Sequence, residues 1–590
     1  MKNAFISAAH GDIPLDLAIE NINLVNVFSG EIYPAAIGIF QDKIVHVTKP
    51  GETKLAAKQT IDGQGKFAIP GLIDTHVHIE SAMLTPSAYA EVVLPHGTTT
   101  IVTDPHEITN VLGEEGLSYM IEASKDLDLR ILTFLPSCVP AAPRLETAGA
   151  DFTPEVVERL MTLDGIDGLA EVMNYYDVIH QDPRMAGIVQ AALDTGKIAQ
   201  GHAPTVSGRD LSAYIIAGID SDHECRTGEE ALEKIQAGMI VEIRESSFSH
   251  NMAPIAKVIK DKGYFPNICL CSDDVLASDL LQQGHINHVV RRAIEEGIEP
   301  INAIRFGTLN AANRLGRTDI GAISPGRIAD IVLLDDLESM HVSEVFTSGK
   351  QTVANGTLIR KQTIISPPSH FFETVKLPEI KEEALTITVE NSQATKALVN
   401  AIEYDYAPGI PTNFLEVTLP VVNGEVQLDS YDGKKAPLNY IAVFHRHGHN
   451  TNVAKGVLAG FGITDGAVAT TVAHDSHNLA VLGVNKKDMA IAANHLRKNN
   501  GGMVAVKNGK IVAELHLPIA GLMTTESAEE FSPKINNFLD RIESTMMPGK
   551  NPIHRLIIAT LPVIPKAKIT DMGLVDVDKQ KFVPLILDSY

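Results

Sequence analysis

An α/β architecture is predicted: a (β/α)8 TIM-type barrel, a flanking small β-sandwich built from both ends of the barrel segment, and a C-terminal mixed α/β domain. Three observations predict it. Eight short apolar segments alternate with helical stretches between residues 68 and 271, which is the pattern of strands each followed by a covering helix. Similar β-like stretches flank that alternation on both sides. After about Ser366 the composition shifts, with Pro367-Pro368 opening a linker-like region.

The first flank runs from Leu17 to Pro70. It contains Leu-Ala-Ile-Glu-Asn-Ile-Asn-Leu-Val-Asn-Val, then Ile-Gly-Ile-Phe-Gln-Asp-Lys-Ile-Val-His-Val with an Asp-Lys turn between its apolar runs. Its counterpart appears at Ala329 to Asp335 and at Val345 to Leu358, where Ala354-Asn355-Gly356 supplies the turn. The expected limits are therefore 1–70 with 325–365 for the sandwich, 71–324 for the barrel and 366–590 for the C-terminal domain.

The barrel strands are expected at Ala68 to Val77, Thr98 to Thr103, Arg130 to Pro136, Gly168 to Met173, Lys197 to Gly201, Gly218 to Ser221, Met239 to Ile243 and Asn267 to Cys271. Between them, Pro154 to Thr162, Arg184 to Thr195 and Gly228 to Ala237 carry apolar residues at three-to-four spacing, as helices covering a parallel sheet do.

Composition excludes several classes of function. At 590 residues, 44% hydrophobic and 21% charged, the chain has ample material for a buried core and none of the bias of a disordered protein. A net charge of −24 argues against a nucleic-acid partner and suits a small neutral or cationic substrate. No apolar run reaches membrane-spanning length and the N-terminus lacks a signal-peptide pattern, so a cytoplasmic protein without a membrane partner is expected. Cys138, Cys225, Cys269 and Cys271 form no Cys-x-x-Cys framework and read as reduced, mostly buried thiols. A homodimer is the expected assembly.

The chemistry begins at His76 and His78, one residue apart at the end of the first barrel strand. Residues i and i+2 of a strand share a face, so both imidazoles can enter one pocket. Barrel enzymes carry their catalytic groups at the C-terminal ends of strands. Here the fourth strand ends in Glu171, the fifth in His202, the sixth in His223 and the eighth in Asp273. Singly, His202 reads as a turn cap, His223 as a surface loop residue and Asp273 as a helix N-cap. Together, four imidazoles and two carboxylates form a set able to hold two divalent ions, with Glu171 the natural bridge.

These residues, with Ile69-Pro70-Gly71 and Pro325-Gly326-Arg327-Ile328-Ala329-Asp330-Ile331, resemble the amidohydrolase superfamily over residues 17 to 360. Within it, Asp104-Pro105-His106-Glu107-Ile108, Ser221-Asp222-His223-Glu224, Cys271-Ser272-Asp273-Asp274, His445-Arg446-His447-Gly448-His449-Asn450 and His474-Asp475-Ser476-His477-Asn478 look like the bacterial adenine deaminase family. The resemblance implies two divalent metals, manganese or iron with zinc possible, held by His76, His78, Glu171, His202, His223 and Asp273. It implies hydrolytic deamination of adenine to hypoxanthine and ammonia in purine salvage, by attack of a metal-bridging hydroxide at C6 with Asp273 as base.

A proton donor is also needed at the ring nitrogen beside C6. Glu107 is the catalytic candidate, and His106 and Glu80 the substrate-side candidates, from the loops after the second and first strands. For the C-terminal histidines, closure of the barrel mouth is favoured over an accessory metal. Opening of a cyclic amide, as in dihydroorotase-like or hydantoinase-like enzymes, is the alternative chemistry. A non-catalytic scaffold of the same fold is the alternative class.

Overall fold

The computed structural model describes residues 2–49, 55–407, 410–428, 437–547 and 552–590. Eight parallel strands surround a common axis: β1 (Leu72–Val77), β2 (Thr98–Thr103), β3 (Arg130–Leu135), β4 (Ile166–Val172), β5 (Ile198–Gly201), β6 (Ser221–Asp222), β7 (Ile240–Arg244) and β8 (Ile268–Cys271). They pair in the orders β5-β4-β3-β2-β1 and β6-β7-β8. The ring closes where Asp273 N donates to His76 O at 3.0 Å and where Gly201 N donates to Ser221 Oγ at 3.4 Å.

Strands β1 and β2 are buried at every position, as expected when helices cover the outside of a parallel sheet and side chains fill its inside. The covering helices begin on local signals. Asp182 accepts from Arg184 N at 3.0 Å ahead of the helix Pro183–Asp194, and Thr227 accepts from Glu230 N at 3.2 Å ahead of Gly228–Gln236. Each cap satisfies an amide that the first helical turn leaves without an intrahelical partner.

Two strands differ from expectation. The run Ala68 to Val77 is two strands, Phe67–Pro70 in a separate sheet and β1 in the barrel. Gly71 marks the switch, because a Cβ there would stand 2.1 Å from Thr99 Oγ1. The sixth strand is only two residues long. Gly218, at φ 101°, ends the preceding helical segment in a left-handed conformation, and pairing starts only at Ser221.

The flanks of the barrel meet in one nine-stranded sheet. Strand Ile331–Leu334 pairs antiparallel with Phe67–Pro70, which pairs parallel with Leu15–Asn26. Ile19, Leu24, Ile37, Ala329 and Ile331 fill the core between these segments. Beyond residue 385 a ten-stranded sheet is covered by the helix Lys486–Lys498, whose Met489, Ala492, Ala493 and Leu496 pack on Val481 and Val504. The helix Ala528–Thr545 starts with a capping box between Ser527 and Glu530.

This C-terminal region seats on the barrel. Thr524 N donates to Met83 O at 2.8 Å, Asn478 Nδ2 to Thr147 O at 2.8 Å, and a single hydrophobic cluster runs from Met83 and Phe371 to Ile441 and Phe531. Among the described residues no helix is long and apolar enough to cross a membrane. All four cysteines are free and buried.

Candidate metal centre

The structure brings His76, His78, Glu171, His202, His223 and Asp273 together at the C-terminal mouth of the barrel, all of them buried. Burial removes the alternative of a surface-loop histidine at 223, which is 1% exposed.

The tautomers of the first two imidazoles follow from their outer partners. Gln200 donates its Nε2 to Thr75 O at 2.6 Å, so its amide oxygen faces His76 Nδ1 at 3.3 Å. That oxygen accepts, hence His76 Nδ1 carries the hydrogen. Likewise His78 Nδ1 donates to the Asp104 carbonyl at 3.0 Å. Both rings are left with Nε2 turned into the cluster, an outer-contact arrangement typical of metal-ligating histidines.

Glu171 sits at the centre. Its Oε1 is 3.3 Å from His78 Nε2 and 3.9 Å from His76 Nε2, and its Oε2 is 2.8 Å from His202 Nδ1 and 3.2 Å from His223 Nε2. Asp273 Oδ1 lies 3.3 Å from His78 Nε2 and 3.9 Å from His76 Nε2. Asp273 is itself held in the left-handed region, at φ 57°, which Asp tolerates better than most residues. Arg244 Nη1 contacts its Oδ2 and also stands 2.6 Å from Glu224 Oε1.

The charges follow. Burial pushes the Glu171 and Asp273 carboxyls up, but His202 and neighbouring imidazoles together outweigh it at Glu171, and Arg244 with His78 and His223 together outweigh it at Asp273, so both stay well below the carboxylate range. Burial drives His76 well below the usual imidazole value, with His223 adding to the effect. Burial also opposes protonation of His78, yet Asp273 and Glu171 outweigh it and raise that ring well above its ordinary value.

A divalent cation fits these residues. His76 Nε2, turned into the cluster, is buried with no hydrogen-bond partner among the described residues, and an orphaned buried polar atom is costly unless something binds it. Donor atoms of His76, His78 and Asp273, and those of His76, Glu171 and His223, lie within 4.8 Å of one another. Neutral imidazoles with ionised carboxylates are the ligand chemistry of first-row divalent metals.

The other expected residues separate. His106 lines the cavity beside the cluster. Its Nδ1 is 3.1 Å from Asp104 Oδ2 and its Nε2 3.6 Å from Asp475 Oδ1, and against the effect of burial those two carboxylates raise it to about 10. Glu80 and Glu107 stand one layer behind the cavity wall. Glu80 Oε1 accepts from Ile108 N at 3.3 Å, and Glu107 Oε1 accepts from Ser81 Oγ at 2.6 Å. Burial pushes them up to about 7 and about 8.

The cavity measures about 350 Å³, within the range of small-ligand sites. Several of its residues escaped the sequence reading. Arg244 ends β7 by the same strand-end rule that pointed to its neighbours, but no ligand chemistry drew notice to a guanidinium. His474 and Asp475 reach the cavity from the C-terminal region, as do Ile557, Ile558, Leu561 and Ile564; only the tertiary fold places them there. His445 Nδ1 lies 2.9 Å from Thr147 Oγ1 and His449 Nε2 lies 2.9 Å from Gly149 O, so these histidines dock the C-terminal region onto a barrel loop.

Residues 67–353 match the amidohydrolase family, and residues 409–581 match the adenine deaminase C-terminal domain. An adenine deaminase of Moorella thermoacetica is 40% identical over 587 residues, covering 98% of this chain and 97% of that protein. One from Desulfatibacillum aliphaticivorans is 38% identical over 583 residues, covering 98% and 99%, and one from Gluconobacter oxydans is 39% identical over 579 residues, covering 98% and 99%. With both parts matched and relatives of this identity aligned from end to end, the chain belongs to the adenine deaminase family of amidohydrolases.

Proposed function

We propose that this protein hydrolyses adenine to hypoxanthine and ammonia, using two divalent ions held by His76, His78, Glu171, His202, His223 and Asp273. The observation that carries this reading is the convergence of the six buried side chains, with His76 Nε2 turned into the cluster and unpartnered among the described residues, at the mouth of the barrel in a chain similar to adenine deaminases over its whole length. Manganese or iron is the favoured metal, with zinc possible. The proposal includes a cytoplasmic homodimer.

Metal ions in such a site acidify water, making hydroxide available near neutral pH. The chain's own groups do the rest. Asp273 is ionised at neutral pH because Arg244, His78 and His223 together outweigh the effect of its burial. It accepts the proton released as water adds to C6 and returns it to the departing amine. Arg244, shared between Asp273 and Glu224, fixes the orientation of that carboxylate.

Addition at C6 places electron density on the adjacent ring nitrogen, which then needs a proton. His106 borders the cavity and is held protonated between Asp104 and Asp475, so His106 donates that proton to the ring nitrogen, with Glu107 behind it, and takes back the remaining proton of the added water as the C6 carbonyl of hypoxanthine forms. Phe248, Ile557, Ile558 and Leu561 supply apolar wall suited to the faces of a flat purine.

The test is incubation of manganese-loaded protein with adenine, following ammonia and hypoxanthine together. Equal amounts of both support the reading. Turnover of dihydroorotate or hydantoin with none of adenine would replace it with cyclic amide hydrolysis on the same residues.

A further inference from the structure

His477 is wholly buried, and neither of its ring nitrogens has a hydrogen-bond partner among the described residues. It is held at φ 50°, in the left-handed region. The Nε2 of His474 is also buried and unpartnered, while its Nδ1 lies 3.5 Å from Asp475 Oδ1. Across from them, Glu107 gives Oε1 to the Ser81 hydroxyl at 2.6 Å and keeps a buried Oε2 with no partner. His474 Nε2 is 3.8 Å from Glu107 Oε1, the rings of His474 and His477 are 5.1 Å apart, and donor atoms of all three residues lie within 4.8 Å of one another.

Three buried polar side chains, each carrying an unsatisfied atom, therefore meet at one place, where native proteins ordinarily pair nearly every such atom. Carboxylates gather on one side of this point: Ser81 Oγ also lies 2.6 Å from Asp274 Oδ1, and Glu80 is buried beside the same helix start. On the other side the buried Arg446 donates Nε to His477 O, which helps to keep the His477 ring neutral. Burial and the charge of Glu80 push the Glu107 carboxyl up, and burial pulls both imidazoles down, leaving neutral nitrogen donors. A bound cation would relieve the first and use the second.

We infer that Glu107, His474 and His477 form a further divalent cation site, distinct from the six-residue cluster, that pins the 471–478 loop of the C-terminal region to the start of the helix His106–Leu112. Two imidazoles and one carboxylate are a donor set that zinc accepts, with a fourth position left for water. The His106 ring stands between this site and the cluster, 6.4 Å from His474 by ring centroids. The ion crosslinks two segments far apart in sequence, and does so whatever reaction the main cluster performs.

The test uses full-length protein crystallised with excess zinc, with anomalous difference maps collected at the zinc edge. The expected result is a peak roughly 2.0–2.2 Å from a carboxylate oxygen of Glu107 and one nitrogen each of His474 and His477. Water density at that point, or no density there in crystals whose six-residue cluster is loaded, overturns the inference. Metal analysis of zinc-loaded His477→Gln against wild type is the second measurement. Loss of about one ion per chain, with loss of part of the zinc-induced rise in melting temperature, supports the site; an unchanged count rejects it.

Discussion

Replacing Asp273 by Asn tests the assignment of the base with little change of shape. The carboxamide can still fill the space 3.3 Å from His78 Nε2, but it cannot take a proton from attacking water. Loss of a positioned general base costs roughly 10²–10⁴ in rate, or about 2.7–5.5 kcal/mol at ~1.36 kcal/mol per tenfold. The fold should survive, because Arg244 keeps its second carboxylate, Glu224, at 2.6 Å and is not left as an unpaired buried charge. The assay is ammonia release at saturating adenine, with wild type and Asp273→Asn brought to equal manganese content. A variant within about threefold of wild type would refute the reasoning, since a proton acceptor contributing less than ~1 kcal/mol is not acting as one.

Other perturbations address the surroundings. Asp475→Asn removes a negative charge from the cavity wall and from the 3.6 Å ion pair with His106, and should lower kcat/KM for adenine about 10-fold, the ~1.36 kcal/mol that one pKa unit at His106 represents; steady-state kinetics with adenine check it. Lys234 is buried, 2.9 Å from Asp222 and 2.7 Å from Glu230, and Asp222 also accepts from Ala203 N at 2.7 Å beside His202. Lys234→Met strands these acids and should destabilise the protein by about 3–5 kcal/mol, read as a lower denaturant midpoint. His96 is held down from 6.5 to about 4, first by burial and then by His285 and Arg291. Between those values the unfolded chain binds a proton that the folded chain refuses, so this contribution to stability is complete above pH 6.5 and is lost as pH falls toward about 4. His96→Gln should flatten the pH dependence of the melting temperature over that window.

The barrel was legible because its strands are buried on both faces and so read as short apolar runs, as Thr98 to Thr103 and Ile268 to Cys271 do. The six converging side chains were legible because the fold places them at strand ends, where residue type and position can be read together. Backbone details escaped. Nothing in the run Ala68 to Val77 announces a change of sheet at Gly71, which depends on the closeness of Thr99 across the barrel. The shortened sixth strand depends on the left-handed Gly218. Placement within the loop after the second strand escaped too: Glu107 and His106 are neighbours in sequence, but the start of a helix turns one toward Ser81 and the other toward the cavity. Asp475 lay in plain view in a His-rich segment, and only packing of a distant region against the barrel mouth brings it within 3.6 Å of His106.

The central claim is that metal held by these side chains makes the protein a deaminase. Its most direct test is to strip the protein with a chelator, return manganese in measured steps, and record bound metal and ammonia release from adenine at each step. The account predicts an inactive stripped protein whose turnover rises with manganese bound at the six-residue cluster. Full turnover by metal-free protein, or none by protein carrying that metal, would contradict it.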